Sequence, residues 1–371
     1  MHLKSILFLG LLFGLIINIK AYGGLVGLSA LGGYCFFEFL KGRKKTSLIF
    51  LTAFGFSLGT FFITNKGGIS LFDFNPLWFV HSMIESPDRF YWPKLALARY
   101  YLSANGLGLR LVLVELFGIS IFLLGNLGIR VIGLVELVKK TISKKIRNFD
   151  WFLIFGLLAS LFPAFLFTQK GTAWNTIQFF YYFLFFLNLY TASFLSRLNQ
   201  KRGIFAKLFL GLLLIITLPT SLSSLRGYLG ANPPAVLPVE ERAGLDFLKS
   251  KPEGVVLTYP YDAYLKADFP TPLPLYVYET TAYVSAFSQK ISFLEDEMNL
   301  TIVGASWPKR KEEVENFFET ENQALARGIL LNNRIDYVYL AGEQKLSLSE
   351  VDLGLEMIFS NKLVKIYQVR R

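Results

Sequence analysis

A chain of 371 residues with 53% apolar and 16% aromatic side chains, a mean hydropathy of +0.43 and a formal charge of +11 is not an ordinary soluble domain. The charge does not mark a nucleic-acid binder: residues 1–222 hold 22 Lys and Arg against 7 Asp and Glu, whereas residues 223–371 hold 16 against 20. The positive excess therefore sits in short loops between apolar runs, where it sets membrane topology, and a single cysteine (Cys35) with two histidines (His2 and His81) excludes an internal disulfide and a Cys- or His-based metal site.

A helix needs roughly 17–25 mainly apolar residues to cross the hydrocarbon core. Seven stretches qualify, at 3–19, 21–40, 47–63, 109–137, 150–167, 176–195 and 204–222. The first also has the basic start and apolar core of a signal peptide. Its end, "INIKAYGG", lacks a small-x-small cleavage site, so it reads as a retained span, and cleavage would leave the remaining topology unchanged.

The basic loops "KGRKK" (41–45), "KKTISKKIR" (139–147) and "RLNQKR" (197–202) each follow an even-numbered span. All three share a side, and the positive-inside bias makes it the cytoplasm. The expected fold is thus a polytopic α-helical membrane domain of about seven transmembrane helices, amino terminus inside, with the C-terminal domain outside.

On the outer side, residues 64–108 contain "FDFNPLWFVHSMIESPDRFYWPKLALARYYLSANG". Pro76, Pro87 and Pro93 interrupt it and Asp73, Glu85, Asp88, Arg89, Lys94 and Arg99 charge it, so it is no span. "PLWFVHSMI" and "PKLALARYYL" read as two short helices on the membrane surface, flanked by the interfacial rings of Trp78, Phe79, Phe90, Tyr91 and Trp92. Arg89, Lys94 and Arg99 have the chemistry to grip a phosphate, the guanidinium in bidentate fashion and the ammonium as a point charge. They would equally snorkel to lipid headgroups.

The second outer connection, "TQKGTAWNTIQFFYY", opens a span with hydrogen-bonding groups. Gly171 frees the backbone, Thr172 is placed to cap the helix, and Trp174 and Gln178 are one turn apart, with Tyr181 and Tyr182 continuing. Rings that cover C–H faces and amides that bond hydroxyls suit a sugar, which makes Lys170, Trp174, Asn175, Gln178 and Tyr181 candidate substrate contacts. The alternative is an aromatic belt in which Asn175 caps the helix and Gln178 bonds a neighbouring one. Glu38, Glu115 and Glu136 lie near span ends, and no chain of acids resembles a proton relay, so an ion-coupled transporter is disfavoured.

A proline-rich connection at 223–238 leads to the tail, 239–371. "VEERAGLDFLKS" reads as a helix, "GVVLTYP" as a strand and "TAYVSAFSQK" as a helix or mixed segment. "KRKEEVENFFETENQALARGILLNNR" reads as one or two helices, and "IDYVYLA" and "KLVKIYQV" as strands. This alternation predicts a small α/β domain around a short sheet. GxGxxG, GxxxxGKS and GxSxG are absent from the sequence. The run Glu295, Asp296 and Glu297 is a candidate for raised carboxyl pKa values or for a divalent metal, against a solvated loop.

The outer loop "NPLWFVHSMIESPDRFYWPKLALARY", the span entrance "KGTAWNTIQFFYY" and a tail with "GLDFLKS…VVLTYP", "YVSAFSQK…FLEDE", "LLNNRIDYVYL" and "KLVKIYQV" resemble the C superfamily of membrane glycosyltransferases. More narrowly, the chain is similar to the C-terminal part of large bacterial multi-span proteins on that plan. The resemblance implies transfer of a hexosyl or pentosyl group from a polyprenyl-phosphate-linked sugar to an envelope glycan or protein, outside the cell membrane. The expected cofactor is none, or a divalent metal at the acidic run of the tail.

Two departures stand beside it. In that superfamily the catalytic acid lies in the first outer loop, whereas "NIKAYGG" here has no carboxylate, and seven spans are fewer than the usual eleven or more. The expectation is either a missing amino-terminal catalytic half or a non-catalytic relative. Asp88 and Glu85 are the nearest acids for a catalytic base. The expected partners are the lipid-linked sugar, membrane lipid and a possible partner subunit, with no nucleic acid. The alternatives are a membrane-anchored binding or assembly subunit of an envelope glycan pathway and, behind it, a transporter or flippase.

Overall fold

The computed structural model describes residues 3–64, 72–106, 108–230, 233–262, 264–278 and 282–370. Residues 65–71 and 107 of the outer loop, residues 231 and 232 of the proline-rich connection, and Thr281 at the start of "TAYVSAFSQK" lie outside that description. The chain divides into two compact units, Met1–Leu225 and Arg226–Arg371.

The first unit is helical. Its elements are α1 (Leu3–Ile19), α2 (Ala21–Leu40), α3 (Lys45–Thr64), β1 (Phe72–Phe74), α4 (Trp78–Glu85), α5 (Pro93–Ala104), α6 (Gly108–Leu127), α7 (Arg130–Ile142), α8 (Asn148–Leu166), β2 (Phe167–Gln169), a 3-10 turn (Ala173–Thr176), α9 (Ile177–Gln200) and α10 (Ile204–Gly230). Among the described residues six helices are long and apolar enough to cross a membrane: α2, α3, α6, α8, α9 with its preceding turn, and α10. The chain is a multi-pass membrane protein. The expected first span, α1, is apolar but rises only about 25 Å, short of a hydrocarbon core of roughly 30 Å.

Two expected boundaries are corrected. The run 109–137 is two helices, because the chain turns at Gly128, whose φ of +52° suits glycine. The second of them, α7, carries Lys139 and Lys140 into its last turn, so the basic "KKTISKKIR" connection begins as helix. Likewise α10 continues through residues 223–230 of the expected linker.

Two sets of connections meet within this unit. Strands β1 and β2 pair antiparallel, joining the α3–α6 connection to the α8–α9 connection. At the other helix ends, Lys41 donates to Asn148 (2.9 Å) and Arg197 pairs with Glu136 (2.6 Å). Buried Asp150 at the start of α8 accepts from Lys140 of α7 and Tyr190 of α9, both at 3.2 Å. The core is a phenylalanine-rich face of α9, with Phe179, Phe180, Phe183 and Phe186 packed against Tyr22, Phe79 and Phe122. Close helix approach needs small residues. A Cβ on Gly133 would stand 2.6 Å from the Leu187 carbonyl, and one on Gly156 would strike the Phe186 ring.

The second unit holds β3 (Ala235–Val236), α11 (Val239–Lys249), β4 (Val255–Thr258), β5 (Leu273–Pro274), α12 (Leu275–Tyr278), α13 (Tyr283–Ser288), β6 (Ile291–Ser292), α14 (Glu297–Ile302), α15 (Pro308–Glu319), α16 (Gln323–Asn332), β7 (Ile335–Ala341), α17 (Glu350–Leu353), β8 (Leu355–Ser360) and β9 (Val364–Val369). Five strands form a sheet in the order β6-β4-β7-β9-β8, with β4 parallel to β6 and β7, and β9 antiparallel to β7 and β8. The apolar strand "IDYVYLA" is its centre and is covered on both faces. Val338 and Leu340 pack under α15 and α16 through Phe317 and Leu330, while Tyr337, Tyr339 and Ala341 face α11 and α13 through Leu245, Leu248 and Val284. The expected α/β domain is thus a mixed sheet between two helical layers.

A buried acid sits in that second layer. Glu241 of α11 is 1% exposed and accepts a hydrogen bond from the Tyr339 hydroxyl at 3.2 Å. Burial pushes its carboxyl above the usual range, against the hydrogen bonds of Tyr283 and Tyr339, and burial does the same to Glu295. A carboxyl that titrates higher when folded gives stability that is complete below its unfolded pKa of about 4.3 and is lost as pH rises through the folded value. Unfolding of the tail, followed by near-ultraviolet tyrosine signals, is therefore expected to need more heat at pH 5 than at pH 7. Glu241→Gln flattens that slope, and an unchanged slope contradicts the assignment.

Candidate functional site at a helix mouth

The β1–β2 pair sets the site. Phe72 lies opposite Gln169, Asp73 opposite Thr168 and Phe74 opposite Phe167, and the Asn75 and Leu77 amides donate to the carbonyls of Leu166 and Phe165. After β2 the chain reverses at Gly171, whose φ is +76°. The 3-10 turn then feeds α9. Thr172 makes no side-chain cap, contrary to expectation, and its hydroxyl is buried without a hydrogen-bond partner among the described residues.

A line of amides crosses this mouth. The Tyr22 hydroxyl of α2 donates to the Gln169 side-chain oxygen, which also accepts from the Asn175 amide at 2.7 Å, and Gln178 donates in turn to Asn175. Gln169 is 7% exposed. Asn175 and Gln178 thus bond each other directly, and Asn175 links them to Gln169, a residue inside "TQKGTAWN" that the sequence alone does not single out. Tyr22 lies in the first turn of α2, and nothing in the local sequence pattern marks it.

Beside the amides lies an ion pair. Lys170 Nζ is 3.6 Å from a carboxylate oxygen of Asp73, and the Asp73 side chain is 57% exposed. In the sequence Asp73 is only one of several loop charges. Phe72, its neighbour, borders an apolar groove of about 370 Å3 between Leu25 and Ser29 of α2, Phe162 and Pro163 of α8, and Phe167.

The aromatic part is built by α4. Trp174 packs edge-on against Trp78 and Phe79 with centroids 4.6 and 5.3 Å apart, and the Arg89 guanidinium lies 3.5 Å from the Trp174 ring centroid. Stacked arginine keeps its edge donors available for an anion. Tyr181 does not join this group. It is 59% exposed, whereas its neighbour Tyr182 would occupy the place of a Cβ on Gly23.

The remaining candidates part company. Arg99 is 15% exposed and is held between Glu85, its contacting partner, and Glu115 of α6 at 4.0 Å. His81 Nε2 lies 2.8 Å from the other Glu115 oxygen. This quartet ties α4, α5 and α6 together and takes Arg99 and Glu85 away from the mouth chemistry. Lys94 is exposed in the first turn of α5. Asp88 is 74% exposed, 3.8 Å from its neighbour Arg89.

In the tail the acidic run diverges. Glu295 accepts from the Ser285 amide (3.3 Å), Asp296 caps α14 through the Asn299 amide, and Glu297 pairs with Lys311 at 3.3 Å. Among the described residues no group of three or more His, Cys, Asp and Glu side chains could hold a metal ion. No protein-family model matches the chain, and no curated protein matches it.

Proposed function

We propose that this protein is a glycosyltransferase-like membrane protein, resembling the C superfamily, that takes a polyprenyl-phosphate-linked sugar at the α8–α9 mouth and passes the sugar to an envelope glycan or protein. The observation that carries the reading is the adjacency of an apolar groove, an Asp73–Lys170 ion pair and a line of amides. An isoprenoid tail suits the groove. Lys170, with Arg89 behind it, is the point charge for the phosphate, and Asn175 and Gln178 have bonding capacity for sugar hydroxyls. A phosphate that draws Lys170 away frees the Asp73 carboxylate, which then takes the proton of the acceptor hydroxyl as it attacks the anomeric carbon, while the bond from that carbon to the phosphate oxygen breaks and polyprenyl phosphate leaves with its charge held by Lys170.

The reading places the mouth and the tail outside the cytoplasm and the basic connections inside. It is supported by the β1–β2 pairing, since an alternating path puts the α3–α6 and α8–α9 connections on one side. The α1 helix, though short, completes a seven-helix path with the amino terminus inside.

The purified full chain given labelled polyprenyl-phospho-sugars tests this directly. Lys170→Ala is expected to weaken donor binding at least tenfold, because a hydrogen bond to a charged group contributes about 1.5–3 kcal/mol. Wild-type protein that neither binds nor transfers any such donor contradicts the reading. A second reading, a non-catalytic binding or assembly subunit of the same glycan pathway, is favoured by the engagement of Glu85 with Arg99 and of Asp73 with Lys170. Donor binding without transfer would select it.

A further inference from the structure

The tail has a cavity of its own, at the carboxyl ends of its parallel strands. There β4 leaves through Thr258, Tyr259 and Pro260, and the chain after β6 arrives at Leu294 and Glu295. In open α/β sheets this edge is where ligands bind. The space is about 50 Å3 and partly open, room for roughly three or four water-sized groups. That admits the end of a ligand and not a whole sugar ring.

The walls define the end that fits. Tyr259, Tyr261, Tyr276, Tyr283 and Tyr339 line the space with Glu295; among the described residues no lysine or arginine lines it, and Lys266 stands 6.0 Å from the Tyr261 ring centroid. Asp296 and Glu297 border it too, but their carboxylates serve the α14 cap and Lys311. Glu295 has hydrogen-bond donors from Ser285 and no basic partner among the described residues. A phosphate or carboxylate would meet an acidic wall. A neutral group would offer the partly buried carboxyl hydrogen bonds but no counter-charge, whereas an ammonium supplies both.

We infer that this cavity binds an ammonium-bearing ligand end, with Glu295 as its counter-ion and the tyrosine rings around it. Ring faces attract cations, and the attraction grows as water is excluded. Burial already holds the Glu295 carboxyl above its usual range, as expected of an acid lacking its cation. The inference stands on the tail alone and does not require sugar transfer at the helix mouth. The same ammonium chemistry is offered by a small headgroup amine and by an amino sugar.

The test uses the full chain in a detergent without a sugar headgroup, with saturation-transfer difference NMR. Ethanolamine and glucosamine are the probes, and ethylene glycol and glucose are their neutral counterparts. At least one amine is expected to give signals tenfold or more above its counterpart. Ethanolamine alone identifies a headgroup-type amine, and glucosamine signals identify an amino sugar. Glu295→Gln should remove the signal, and Tyr261→Ala, which takes one ring from the wall, should weaken it severalfold with thermal unfolding unchanged. If Glu295→Gln does not fold, the charge comparison in the wild type and the Tyr261→Ala variant decide. No signal from either amine, equal signals from the neutral counterparts, or full retention in the variants overturns the inference.

Discussion

Asp73→Asn is expected to cut sugar transfer about a hundredfold or more, the scale of losing a general base, while donor binding changes little. Asparagine keeps the shape of the side chain at its place opposite Thr168 but can neither take a proton nor pair with Lys170. Because the lost ion pair is largely exposed, its removal costs little stability, so a fall in kcat reads out chemistry and not unfolding. Parallel variants at Asp88 and Glu85 separate the three acids. Asp88→Asn should leave transfer near the wild-type rate, because that carboxylate projects into solvent beside Arg89. Transfer that survives Asp73→Asn but is lost in Asp88→Asn would move the base to the α4–α5 connection.

Arg99→Leu is the second large effect, and it is one of stability. The substitution leaves Glu85 and Glu115 half-buried and facing each other without the guanidinium between them. Breaking a buried ion pair from one side costs about 3–5 kcal/mol, and the partial exposure of this quartet puts the expected loss at the low end. A markedly lower unfolding temperature and poor recovery from detergent are the expected readouts. Adding Glu85→Gln and Glu115→Gln should recover most of the loss, since the uncompensated charge, and not the missing arginine, is the cause. A triple variant less stable than Arg99→Leu alone contradicts that account.

Much of the architecture was legible because it rests on local pattern. Apolar runs gave the long spans, Pro76, Pro87 and Pro93 bounded the two short helices, and apolar alternation marked β4, β7 and β9. Where the pattern was ambiguous the reading failed. In "FLLGNLGIRVIG" the apolar residues continue past Gly128 and only the backbone shows the turn. Strand β8 was missed because "LEMIFS" is an edge strand with a largely solvent-facing pattern. The site was less legible than the fold for a different reason. The pairing of Asp73 with Lys170 and of Tyr22 with Gln169 depends on contacts between residues far apart in the chain, and no periodicity encodes them. The lysine, the tryptophan and the amides of "KGTAWNTIQ" could be found as a polar lip on an apolar segment. Their acidic companion in the other connection could not.

The central claim is that the mouth formed by β1, β2 and the α9 entrance opens outside the cytoplasm. In a Cys35→Ala background, single substitutions Asn75→Cys beside the mouth and Lys44→Cys in a basic connection can be challenged on intact cells with a membrane-impermeant maleimide. The account predicts rapid labelling at position 75 and labelling at position 44 only after the membrane is opened. Labelling of intact cells at 44 but not at 75 would contradict it.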